Sequence, residues 1–114
     1  MRKRKFWGWG YEDQVLTPTE DQAIASRVIK HFGTAAALPI PEADDIDLIE
    51  PRVFPPSTLE SIVTHDHLER LNHSYGKSFP DLARALLRRF PNPPDLVAFP
   101  ESRKDVVRIL DWAN

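Results

Sequence analysis

The chain has 114 residues, 41% hydrophobic and 28% charged, which allows one domain with a modest core and excludes wholesale disorder. Lys+Arg 15 against Asp+Glu 17 leaves a net charge of -2, so overall charge gives nucleic-acid binding no support. The absence of cysteine excludes disulfide scaffolds, thiolate metal sites and cysteine nucleophiles, and it suits a reducing cytoplasm.

No apolar run approaches the roughly 18 residues of a spanning helix, and the N-terminus lacks the apolar region of a signal peptide. Eleven prolines beside four glycines point to stiff, extended connectors between short helices.

Residues 1–16 form a basic-aromatic arm: Arg2-Lys3-Arg4-Lys5, then Phe6-Trp7-Gly8-Trp9-Gly10-Tyr11. Two readings of it stand side by side. The cations and tryptophans suit an anionic membrane surface; equally, both tryptophans can pack on the body of the protein while the cations stay solvated. The second is the expectation here.

Residues 17–90 read as a helical region. Thr17 and Glu20 form a capping box with Pro18 at the first helical position, Ile24, Val28, Ile29 and Phe32 recur at helical spacing, and Gly33 is a stop. Leu38 to Pro56 reads as an extended connector lying along a surface, with an acidic stretch from Glu42 to Asp47.

Three short helices are then expected. One is capped by Ser57 and Glu60 and carries Leu59, Ile62 and Val63. The next is capped by Asp66 and Glu69, carries Leu68 and Leu71, and ends near Gly76. The third is capped by Ser78 and Asp81 and presents Phe79, Leu82, Ala83, Leu86 and Phe90, a face expected to pack on Val28 and Phe32 of the first helix.

Residues 91–114 read as the start of a further domain. A rigid Pro91-Asn92-Pro93-Pro94 spacer leads into a strand at Leu96–Phe99, and Ser102 with Asp105 caps a helix bearing Val106, Ile109, Leu110 and Ala113. This is the first strand and helix of an α/β unit, and a lone strand leaves backbone groups that only a sheet partner satisfies. The expectation is of a chain cut short, exposing Leu96, Val97, Phe99 and the face around Ile109.

No motif here specifies chemistry. Gly76-Lys77-Ser78 opens a helix, but a phosphate loop needs another glycine five positions before its second, where Leu71 stands. His65 and His67 flank Asp66 and would face different sides of a helix, so they and His73 read as surface or cap residues. Catalytic, cofactor-binding and metal-binding residues are assigned to none.

A resemblance adds to this reading. The run Arg70-Leu71-Asn72-His73-Ser74-Tyr75-Gly76-Lys77-Ser78-Phe79-Pro80-Asp81-Leu82-Ala83-Arg84 is similar to bacterial relatives of alkyldihydroxyacetonephosphate synthase, FAD-linked oxidases of the vanillyl-alcohol-oxidase and p-cresol-methylhydroxylase type. Pro94-Asp95-Leu96-Val97-Ala98-Phe99-Pro100 with Asp105-Val106-Val107, the tryptophan–glycine arm, and Pro51-Arg52-Val53-Phe54-Pro55-Pro56-Ser57 resemble the same proteins.

The resemblance covers nearly the whole chain but only the front of such an enzyme. It implies an α+β parent, with this chain mostly short α-helices joined by proline-rich connectors and ending in one strand–helix unit. It implies FAD, bound by a glycine-rich loop beyond Asn114 and not by this chain alone, and partners in the remainder of the FAD-binding and substrate domains. A parent homodimer, a cytoplasmic location and a peripheral membrane contact belong to the same expectation. Ether-bond synthesis and oxidation by transfer to the flavin are both open. The competing expectation is a stand-alone helical interaction module that docks through its arm, unfolds as a cooperative monomer and exposes no large apolar patch.

Overall fold

A computed structural model describes the whole chain, Met1–Asn114. Four helices and two very short strands follow in the order α1 (Pro18–Phe32), β1 (Val63–Thr64), α2 (His67–Asn72), α3 (Phe79–Leu86), β2 (Val97–Ala98) and α4 (Arg103–Ala113), with 3-10 turns at Ala43–Asp45 and Glu60–Ile62. No helix is long and apolar enough to cross a membrane.

Local hydrogen bonding explains most helix starts. The Thr17 side chain accepts from the Glu20 N–H while the Glu20 carboxylate accepts from Thr17, and Gly33 closes α1 in the left-handed region at φ 77. Asp66 caps α2, the Ser78–Asp81 box caps α3, and Ser102 caps α4. Helix α3 ends at Leu86, earlier than the apolar spacing predicts. Arg88 turns to φ 59, a conformation that stops helix propagation, and Phe90 reaches the core from the segment beyond.

The core is small. Phe6, Ile46, Leu71, Ala85 and Phe90 form one buried cluster, with Trp7, Ala43, Leu48, Leu68 and Tyr75 packed around it. It therefore joins the arm, the proline-rich connector, α2 and α3. The connector between Leu38 and Pro56 is thus a wall of the core and not a surface strap: Pro41 and Ile46 are buried, and the Ile49 carbonyl accepts from Arg70.

The expected packing of α3 on α1 is overturned. Helix α1 has no buried residue, Val28 is half-buried, and Phe32 is 77% exposed. On α3 the deeply buried residue is Ala85, while Phe79 points to solvent. The capped helix expected from Ser57 shrinks to the 3-10 turn Glu60–Ile62, because Val63 and Thr64 leave helical geometry to form β1.

That strand also corrects the reading of β2 as unpartnered. β1 and β2 pair antiparallel, Val63 opposite Ala98 and Thr64 opposite Val97, and the Phe99 N–H donates to the Ile62 carbonyl at 2.7 Å. Val97 is consequently buried and Leu96 and Ile109 are half-buried, whereas Phe99 remains 48% exposed.

The whole is elongated, 57 × 27 × 22 Å with a radius of gyration of 18.2 Å. A compact domain of this size would have a radius of about 13 Å and expose about 6,400 Å². The chain exposes 8784 Å².

Candidate functional site

The arm folds back on itself. Arg4 and Tyr11 form an isolated antiparallel bridge, with the Lys5 N–H donating to Gly10 and the Glu12 N–H to Lys3. Gly10 makes the turn possible with φ 79; a Cβ there would collide with the Gln14 side-chain oxygen. Phe6 then drops into the core and meets Phe90 edge-on, ring centroids 6.1 Å apart.

Lys77 fastens the arm to the turn between α2 and α3. Its Nζ donates to the Phe6 carbonyl at 2.7 Å and the Lys5 carbonyl at 3.2 Å, while the Trp9 indole Nε1 donates to the Lys77 carbonyl at 2.9 Å. Burial lowers the Lys77 pKa, because the ammonium loses water, and nearby Asp81 partly restores it. The Gly76-Lys77-Ser78 run is thus a clasp followed by a helix cap. The expectation that both tryptophans are buried is corrected: Trp7 is half-buried beside the core, but Trp9 is 71% exposed, with its indole N–H on the Lys77 carbonyl.

Between the arm and α2 lies a cleft of about 840 Å³. Arg2, Lys3, Arg4, Lys5 and Lys77 line it, with Trp9 and Phe99 as flat walls and Glu69, Asn72 and His73 along the α2 side. Arg2 is neutralised by Asp13 at 2.9 Å. Lys3, Arg4, Lys5 and Lys77 take part in no ion pair, since Lys5 and Lys77 bond uncharged carbonyls and Arg4 lies over the Tyr11 ring.

A second group of residues ties the connectors together. The buried Arg70 guanidinium donates to the carbonyls of Pro94 and Ile49. Asp95 receives Arg52 through Nε, Nη2 and the backbone N–H, and these hydrogen bonds hold its carboxyl below the ordinary range. Arg108 reaches from α4 to the Thr58 carbonyl and to Asp105. Sequence reading missed Arg70 because it adjoins Leu71 on a short helix, where a charged residue reads as solvated; only the tertiary path of Ile49 and Pro94 gives it partners.

Three of the four histidines serve separate carbonyls. His65 Nε2 donates to Val53, His67 Nε2 to Ala43 and His73 Nδ1 to Glu69, at 3.2, 3.0 and 2.8 Å. A carbonyl can only accept, so each of these ring nitrogens carries a proton.

This arrangement of arm, connector and strand–helix unit is found in solved proteins. Two crystal forms of alkyldihydroxyacetonephosphate synthase, in P1 and in P212121, superpose on 96% of this chain with a TM-score of 0.73 at 24% sequence identity. The chain spans 26% and 25% of those two chains. In sequence it is similar to the alkyldihydroxyacetonephosphate synthase of Dictyostelium discoideum, 39% identical over 49 residues, 43% of this chain and 8% of the relative. No protein-family model matches.

Proposed function

We propose that this chain is the leading part of a flavoenzyme of the alkyldihydroxyacetonephosphate synthase type, a scaffold against which the flavin and substrate domains pack. The observation that carries the reading is the fold likeness over 96% of the chain, joined to 39% identity over 49 residues with a synthase of that name.

Surface area supports it. The chain exposes about 2,400 Å² more than a compact monomer of its mass, an amount in the range of obligate interfaces. Large apolar side chains contribute to it: Phe99, Val106, Val107 and Leu110 are 48, 42, 48 and 59% exposed near the strand–helix unit, and Phe54 and Phe79 are 69 and 83% exposed elsewhere. A stand-alone interaction module is expected to expose no large apolar patch, so these exposures favour the scaffold reading.

The residues present do not fit the phosphates of FAD where β2 meets α4. The connection Phe99-Pro100-Glu101-Ser102 has no glycine, and the first turn of α4 is filled by the Ser102 hydroxyl and the Asp105 carboxylate, which lie 2.8 Å apart. FAD is therefore assigned to the parent enzyme, on the glycine-rich loop that the resemblance implies beyond Asn114, and no chemical step is derived for this chain.

Two measurements test the proposal. Sequencing past codon 114 should show an open frame encoding a glycine-rich loop, and the product of that frame should purify with flavin absorbance. Equilibrium dialysis of the 114-residue chain with FAD at about 1 μM should show no stoichiometric uptake, and uptake of one FAD per chain at that concentration would overturn the reading.

A further inference from the structure

We infer that the cleft between the arm and α2 binds a phosphate-bearing anion, its charged group among Lys3, Arg4, Lys5 and Lys77 and its remainder against Trp9 and Phe99. The inference rests on the cleft alone and stands apart from the flavoenzyme reading.

Charge is the first ground. Four cations border one concavity and none has a carboxylate partner, although carboxylates are abundant in the chain. Glu69 is the acidic side chain on the lining, and its Oε2 faces His73 Nδ1 at 3.7 Å. Like charges gathered in a concave site with low-dielectric walls focus the field and concentrate an anion there.

Unused donors are the second ground. Gly8 and Gly10 line the cleft, and the N–H groups of Gly8, Trp9 and Gly10 meet no protein acceptor; Gly8 is buried, where an unmet donor is costly. Consecutive free N–H groups at a turn that passes through the left-handed region make an anion-binding concavity. Lys77 adds to this: burial disfavours its charged form, and an anion alongside would relieve that.

Shape is the third ground. About 840 Å³ exceeds what a bare phosphate needs and falls in the range of small-molecule sites. Two flat apolar walls, one of them a 71% exposed tryptophan, suit an attached apolar or planar group. The shared chemistry is a phosphoryl group on such a body, whether a free phosphorylated compound or a lipid headgroup.

Calorimetric titration of the chain with inorganic pyrophosphate at about 0.05 M salt tests this. Binding is expected with a Kd on the order of 0.1–1 mM, weakened severalfold or more at about 0.3 M salt. The double variant Lys3→Ala/Arg4→Ala removes two exposed cations that hold no core contact and should weaken binding about tenfold or more. Arg103→Ala/Lys104→Ala removes the same charge from α4 and should leave binding within about twofold.

Equal loss in the two variants would show only diffuse attraction to positive charge and overturn the inference. So would the absence of binding to both pyrophosphate and phosphatidic acid vesicles. Vesicles identify the source: binding to phosphatidic acid over phosphatidylserine at matched charge, lost in Lys3→Ala/Arg4→Ala, supports a lipid headgroup. Pyrophosphate binding without vesicle binding supports a free ligand. Indifference between the two lipids, with no pyrophosphate binding, would overturn the site as a phosphate site.

Discussion

Phe6→Ala separates a structural arm from a loose one. Phe6 is 5% exposed, packs edge-on against Phe90, and is one of five residues in the buried cluster. Truncating a buried phenylalanine costs about 3–5 kcal/mol through lost transfer energy and an unfilled cavity. Domains are stable by about 5–15 kcal/mol, and a chain that buries 10 of its 114 residues belongs at the low end, so the substitution removes a large part of the total. The arm should respond as well, because Lys77 can hold the Lys5 and Phe6 carbonyls only while the Phe6 ring anchors that backbone. Urea unfolding should show a midpoint lowered in proportion to the loss, and trypsin should cut after Arg4 and Lys5 several times faster than in the unaltered chain. A loss under about 1 kcal/mol with unchanged cleavage would refute the placement of the arm in the core.

Arg70→Met leaves the Ile49 and Pro94 carbonyls without their donor; at about 1–3 kcal/mol for each orphaned acceptor, and with the removal of a buried charge offsetting part, a net loss of about 1–4 kcal/mol is expected by urea unfolding. Asp95 has its carboxyl depressed by Arg52, so its contribution to stability is present above the ordinary carboxylate value of about 3.9 and is lost as pH falls through the depressed one. The gap in melting temperature between the unaltered chain and Asp95→Asn should therefore be largest near neutrality and close in acid; a pH-independent gap would assign the effect to packing instead. Leu110→Asp, on an exposed position, should leave the chain's own unfolding free energy within about 0.5 kcal/mol; under the proposed flavoenzyme reading it should also reduce the recovery of flavin-loaded full-length protein, and unchanged recovery would count against α4 as a docking face.

The parts of the fold legible in the sequence are those whose hydrogen bonds close within four residues. Thr17 with Glu20, Asp66 with Glu69, Ser78 with Asp81 and Ser102 with Asp105 each mark a helix start where the structure has one. Ser57 with Glu60 has the same letters and fails, because Val63 and Thr64 leave the turn and pair with Ala98 and Val97. The pairing joins segments far apart in the chain, and no local signal announces it. The same holds for Arg52 and Asp95, two motifs noticed separately that prove to be partners. Nor does the cleft show in the sequence: its cations come from the arm and from Lys77, and only the folded arm brings them to one rim.

Helix α1 shows how far periodicity can carry a reading. Ile24, Val28, Ile29 and Phe32 make a regular apolar stripe, and that spacing correctly gives a helix. It does not say what covers the stripe. Within this chain little does, since Ile24, Ile29 and Phe32 are 48, 49 and 77% exposed, and the core is built instead around Phe6 and Ile46, residues of an arm and a connector. An amphipathic helix gains most of its stability from the surface it packs on. A 15-residue helix standing free of the core, an apolar face on α4 and an area well above that of a compact monomer all leave apolar surface uncovered within these residues, and the proposed reading as the leading part of a larger enzyme accounts for all three together.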